Sequence, residues 1–149
     1  MDDLDFYDDI VNDVTDIMNG KLNNEIKDIY EEEAEYMYTE ITPKYKNKSR
    51  YRKGESGSFA DKVNFETNIS RKNNRIKYQL RNYRLTDCNC NYCNSKDIFL
   101  DNLIEDGIYG KTRLKPRPVS ERVVDRIGQE ELVENIIESE LRAKGWNIK

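Results

Sequence analysis

Cys88, Cys90 and Cys93 form a Cys-x-Cys-x-x-Cys cluster, the grouping in this chain closest to a chemical site. Thiolates at this spacing can share a Zn²⁺ from one loop, but a structural zinc takes four ligands. The sequence has no histidine and no fourth cysteine, so Asp87, Asp97 or a second subunit would have to complete the set. In a reducing compartment the simpler reading is a trio of free thiols on a surface loop. An odd count also leaves one thiol unpaired if a bridge forms. Zinc is therefore disfavoured, and no cofactor is expected.

Catalysis has little else to draw on. The absence of histidine removes the commonest general base. There is no Gly-x-Ser-x-Gly elbow and no phosphate-binding glycine loop. Glu31, Glu32 and Glu33 fall at helical positions and read most simply as a solvated face. No catalytic residue is assigned, and an enzyme is not expected.

Charge is the more informative signal. The net charge of −4 conceals a segregation: residues 1–42 carry 14 acidic and 2 basic side chains, whereas residues 43–86 carry 3 acidic and 13 basic. Such blocks either pair within the fold or face partners of opposite sign. Lys44, Lys46, Lys48, Arg50, Arg52 and Lys53 make a basic arm suited to a neighbouring component. With Tyr45, Tyr51, Tyr78 and Tyr83, the middle block also has the cations and rings of a nucleic-acid surface. The structural reading of that block is preferred, because tyrosine is ordinary strand material and an acidic segment lies close at hand.

Periodicity supplies the elements that carry these residues. Phe6, Ile10, Val14, Ile17 and Met18, then Leu22, Ile26, Ile29, Tyr30, Ala34 and Met37, repeat at a helical period over residues 2–41. Asn19-Gly20 and Asn23-Asn24 weaken the middle, so one helix or two are both consistent. Pro43 ends the element. Residues 44–58 are polar, basic and aperiodic, a loop or arm. Alternation over residues 59–69 and 75–85, with Arg71 to Asn74 between them, predicts a β-hairpin. Residues 87–96 are the Cys-rich excursion. Ile98 to Ile104 is a short strand or a helical turn leading to Gly107-Ile108-Tyr109-Gly110, the close of an extended run.

After a basic hinge, Lys111 to Arg117, Pro118 suits a helix start. Val123, Val124, Ile127, Leu132, Val133, Ile136, Ile137 and Leu141 then trace an apolar face through to Lys144, with a bend or break expected at Gly128. Gly145 is the expected helix-ending residue, with Trp146 folding back on it. The expectation is one α+β domain over residues 1–149, with helices packed on one face of a small antiparallel sheet. Hydrophobic and charged residues each make up 36% of the chain and the mean hydropathy is −0.96. That is thin for a solitary monomer and leaves apolar surface for other subunits to complete. No apolar run reaches the roughly 18 residues of a membrane span, and no leader pattern opens the chain. A cytosolic origin and no membrane partner are expected.

From Tyr109 onward the sequence resembles the C-terminal part of the small phage tail-completion and neck proteins, the "putative tail component" family of tailed bacteriophages and tail-like prophages. Thr42-Pro43, Tyr109-Gly110 with Thr112, and Lys115-Pro116-Arg117-Pro118 before the helix Val119–Lys144 carry the likeness. Lys111 interrupts the Gly-Thr pair, and the cysteine loop is extra. The resemblance implies a virion protein, made in the host cytoplasm, that forms a homo-oligomeric ring at the head–tail junction or completes the tail. Its neighbours would be neck, portal-side or tail-tube and terminator proteins, with non-specific DNA contact in the channel. Arg113, Lys115, Pro116, Arg117, Pro118, Val123 and Ile127 are the expected assembly surface. The alternative from a different class is a small nucleic-acid-binding regulator that uses the basic middle.

Overall fold

A computed structural model describes residues 3–45, 59–72, 75–83, 100–107 and 115–148. Its framework is a continuous N-terminal helix. Two α-helical parts, α1 (Asp3–Ile17) and α2 (Asn23–Tyr36), are joined by a π turn, Met18–Leu22. A second π turn, Met37–Ile41, and a 3-10 turn, Thr42–Lys44, complete it. The Asn19-Gly20 weak point therefore does not break the helix. Instead one wide turn absorbs it, with helical dihedrals on both sides.

The π turn has a consequence for the apolar stripe. Ile17 and Leu22 are five residues apart, a spacing that drifts around an α-helix but stays on one face through a single i→i+5 turn. Both are buried. Met37 and Thr42 repeat the device: both are buried, and the Thr42 hydroxyl donates to the Met37 carbonyl at 2.8 Å. The Thr42 backbone amide donates to the same carbonyl, so Met37 accepts two bonds where the helix ends.

The hairpin consists of β1 (Phe65–Lys72) and β2 (Arg75–Asn82), antiparallel in the register Phe65–Asn82 to Lys72–Arg75. Its first strand starts later than the alternation suggests, because Lys62–Asn64 form a 3-10 turn capped by Asp61, whose carboxylate accepts from the Val63 amide at 3.2 Å. Strand alternation puts Phe65, Thr67 and Ile69 on the same face as Leu80, Tyr78 and Ile76. This face meets the helix at its midpoint. There the Asn23 side-chain oxygen accepts from Thr67 at 2.6 Å and from Tyr78 at 2.7 Å. Desolvation against the helix raises the Tyr78 pKa, with the Thr67 hydroxyl opposing it.

The chain returns through three further helices: α3 (Leu100–Asp106), α4 (Ser120–Gln129) and α5 (Leu132–Ala143). The described part of the Ile98–Ile104 piece is thus helical. Gly107, at φ 72°, follows the end of α3, a conformation open to glycine. The C-terminal helix does break, at Glu130-Glu131 and not at Gly128, which stays inside α4. Glu131 takes the left-handed conformation, φ 47°, so a non-glycine residue carries the turn. The end of α5 follows expectation. Gly145 (φ 97°) donates to the Arg142 carbonyl at 3.0 Å and Trp146 to the Leu141 carbonyl at 3.0 Å, the paired bonds of a glycine-terminated helix.

α4 packs on α2 and α5 on α1, giving two adjoining apolar clusters. One gathers Ile29, Tyr30, Ala34, Met37, Phe59, Phe65, Ile104, Val119 and Val123. Within it the Tyr30 ring lies 4.8 Å from Phe65 and 5.9 Å from Phe59. The other joins Ile17, Leu22 and Ile26 to Ile136 and Leu141. Val124, expected on the apolar face, is 67% exposed. It sits one helical step from Val123, and a step of 100° carries it outward.

Candidate assembly surface

The segregated charge is partly consumed inside the chain. Two basic residues near or on the hairpin reach the acidic helix: Lys62 pairs with Asp28 and Glu31, and Arg71 with Asp8 at 3.4 Å. The larger cross-connection comes from the C-terminal helices. Arg122 Nε meets Glu33 at 2.6 Å, Arg126 bridges Glu32 at 2.7 Å and Glu33 at 3.5 Å, and Lys144 lies 3.5 Å from Asp13. Glu33 is 7% exposed, which corrects the reading of Glu31 to Glu33 as a uniformly solvated face. Its position was legible: Ile26, Ile29, Tyr30, Ala34 and Met37 mark the buried stripe, and residue 33 falls within it. The guanidiniums one turn apart on α4 explain why a carboxylate is tolerated there.

The proline-marked turn packs against the C-terminal end of the long helix. Arg117 is buried and donates to Met37 Sδ at 3.1 Å and to Thr42 Oγ1 at 3.2 Å, with its guanidinium 5.9 Å from the Tyr38 ring. Its amide donates to the Ile104 carbonyl at 2.7 Å. Beside it, the Tyr45 hydroxyl donates to the Pro116 carbonyl at 2.8 Å, and Lys115 Nζ stands 5.5 Å from the Tyr45 ring. The Glu105 carboxylate accepts from the Val119 amide at 2.7 Å and from Ser120, so a side chain from α3 caps α4. Val119 offers no cap of its own, which is why this connection was not legible locally.

These contacts divide the expected interface residues. Arg117 and Val123 are buried within the chain's own core and Ile127 packs half-buried against it, while Lys115 and Pro116 are exposed and Pro118 is partly so. Lys44 is exposed at the same corner. Arg113, the remaining arm residues Lys46, Lys48, Arg50, Arg52 and Lys53, and the cysteines Cys88, Cys90 and Cys93 lie outside the described residues. Among the described residues no group of His, Cys, Asp and Glu side chains could hold a metal ion, and no helix is long and apolar enough to cross a membrane.

The opposite end of the helix has another character. Asp5, Asp9 and Asp16 are exposed there, along with Phe6 and Tyr7. Phe6 meets Trp146 edge to face, at 5.2 Å between rings. The Trp146 indole N–H donates to Asp13 at 2.7 Å. That bond, reinforced by Lys144 and opposed by desolvation, holds the Asp13 carboxyl below its ordinary value. Hairpin and tip meet where Arg71 lies 5.8 Å from the Tyr7 ring. The aromatic and acidic tip was not singled out from the sequence, where Phe6 reads as the first residue of the core stripe.

Open depressions among the described residues include two beside the hairpin and α4. One runs along the base of the hairpin past Glu66, Gln79, Arg81 and Asp101, and the other lies over Glu33, Arg122, Asp125 and Arg126. Both are polar and neither presents an enclosed cavity. Comparison of the chain with protein-family models, curated proteins and solved structures finds no match.

Proposed function

We propose that this protein is a structural subunit of a tailed bacteriophage or phage-tail-like particle, placed at the neck or the upper end of the tail. It acts by assembling into a ring and not by catalysis. The observation that carries the reading is the polarity of the long helix. Its N-terminal half presents Asp5, Asp9 and Asp16 with exposed Phe6 and Tyr7. Its other end presents Lys44 and Lys115 beside the exposed Glu40, and the basic arm of residues 46–53 continues from it in the sequence. At about 1.5 Å per residue the two ends are roughly 60 Å apart. Opposite-signed ends cannot meet within one rigid helix but can meet between copies. Such head-to-tail contacts close into rings when the rotation per subunit allows it. The resemblance carried by Lys115 to Pro118 and the following helix supports the same reading.

Sedimentation of the purified chain over a range of concentration and salt tests the assembly. A discrete closed oligomer that dissociates as salt rises, and that the triple variant Asp5→Asn, Asp9→Asn, Asp16→Asn no longer forms, is expected. Electron microscopy of particles from a strain lacking the gene tests the placement. Filled heads accumulating apart from tails, or tails with ragged or over-long upper ends, support the reading. A strictly monomeric chain together with normal particles refutes it.

A further inference from the structure

Among the described residues, the outer part of the hairpin's second face packs against no other element. Alternation turns Glu66, Asn68, Ser70 and Lys72 of β1, with Arg75, Lys77, Gln79 and Arg81 of β2, away from the helix. All eight are polar, and all but Arg81 are exposed. The base of this face is balanced: Glu66 stands opposite Arg81, which also bonds Asp101 at 3.3 Å. The outer half is not. Lys72 stands directly opposite Arg75, and Lys77 is the next residue on that face, opposite Ser70. Like charges placed directly across a ladder are destabilising, and no carboxylate among the described residues pairs with any of the three. Their neighbours differ, since Lys62, Arg71, Arg81, Arg122 and Arg126 all have ion-pair partners. Those five cations turn toward the chain's own acidic groups, and these three project the other way.

We infer that this outward face docks duplex DNA, with Lys72, Arg75 and Lys77 on phosphates. Charge complementarity selects a polyanion. The absence of any apolar side chain on the face selects nucleic acid over an acidic protein. Protein interfaces are anchored by buried aromatic and aliphatic groups, whereas interfaces with DNA are polar and positive. The dimensions fit as well. Two strands about 5 Å apart form a ribbon that a major groove about 12 Å wide accepts. Asn68 and Gln79 face each other across the ladder, and both carry amides able to address base edges. The inference does not rest on ring assembly: these residues lie on the face of the hairpin turned away from the helix, although its end stands beside the acidic tip through Arg71 and Asp8.

The test is fluorescence anisotropy of the full chain with a labelled 20-base-pair duplex across a series of salt concentrations. Three phosphate contacts at about 0.9 each predict that the triple variant Lys72→Gln, Arg75→Gln, Lys77→Gln loses about 2.7 from the slope of log affinity against log salt. Between 50 and 200 mM salt the native chain should weaken roughly 40-fold more than the variant. Circular dichroism of the variant should match the native spectrum, since only exposed side chains change. Lys44→Gln serves as a control at the other end of the molecule and should lower the slope by about 1 at most. Equal slopes for native chain and triple variant overturn the inference, as does no binding at 50 mM salt. Binding of polyglutamate as tight as that of the duplex overturns it in favour of an acidic protein partner.

Discussion

Replacing Glu33 by Gln preserves shape and removes one charge at the joint between the N-terminal helix and α4. The glutamate receives Arg122 at 2.6 Å and Arg126 at 3.5 Å, and its side chain is only 9% exposed. At an effective dielectric of about 20, unit charges 4 Å apart attract by about 4 kcal/mol. Much of that is offset by the desolvation of the carboxylate, and the two arginines keep 40% and 32% exposure with water at hand. Hydrogen bonds to charged groups contribute about 1.5–3 kcal/mol and neutral ones about 0.5–1.5. Glu33→Gln should therefore cost about 1–2 kcal/mol. For a chain of this size that is a fall of roughly 3–6 °C in Tm. Urea unfolding followed by far-UV circular dichroism measures it. Glu32→Gln is the internal control: that side chain is 60% exposed, and its loss should stay below about 0.5 kcal/mol. A double-mutant cycle with Arg122→Gln should show a coupling of at least about 0.5 kcal/mol. Equal effects at positions 32 and 33, or strict additivity with Arg122→Gln, would refute the joint as described.

Three further outcomes follow from the same contacts. Glu105→Ala removes the acceptor for the Val119 and Ser120 amides. It should cost about 1–2 kcal/mol, with hydrogen exchange accelerating in the first turn of α4 before the rest. Glu131→Gly relieves a left-handed conformation at φ 47° and should stabilise by about 0.5–1 kcal/mol, read as a higher urea midpoint; a loss of stability would contradict the observed turn. The contribution of Asp13 depends on pH. Because its folded pKa is depressed, by Trp146 first and Lys144 next against desolvation, the stabilisation is complete above the ordinary value of 3.8 and disappears as pH falls through the folded value. Emission from the single tryptophan should report this acid transition, and Asp13→Asn should abolish it.

Burial and charge divide the roles of the proline-marked turn. Arg117 and Val123 secure the turn and α4 to the subunit's own helix, so substituting them would unfold the corner before it tested any contact between copies. Lys115, Pro116 and Lys44 are the positions at which substitution can alter assembly without disturbing the core. The same distinction separates the inner and outer faces of the hairpin.

Much of the architecture was legible because it depends on local periodicity. Apolar residues at intervals of three and four demand a helix, alternation within residues 59–69 and 75–85 demands paired strands, and Gly145 with Trp146 demands a helix end. These preferences follow from backbone geometry over a few residues. What they leave open concerns partners distant in sequence. Asn19-Gly20 had two local solutions, and packing of Ile17 and Leu22 on one core selected the π turn. Local propensity pointed to Gly128 for the break between α4 and α5. The break fell at Glu131 even though Gly128 has the easier backbone, so local propensity did not decide it. Glu33 and Glu32 are identical side chains one residue apart, yet only one faces Arg122 and Arg126. The acidic block of the first helix was obvious from composition, but its principal partners proved to be the C-terminal helices, about 90 to 130 residues away. Local sequence determines which elements form, because hydrogen bonding and side-chain direction repeat over a single turn or pleat. Only the tertiary fold determines which charges are neutralised and which are left to face a partner, because that depends on what chain return brings within a few ångströms.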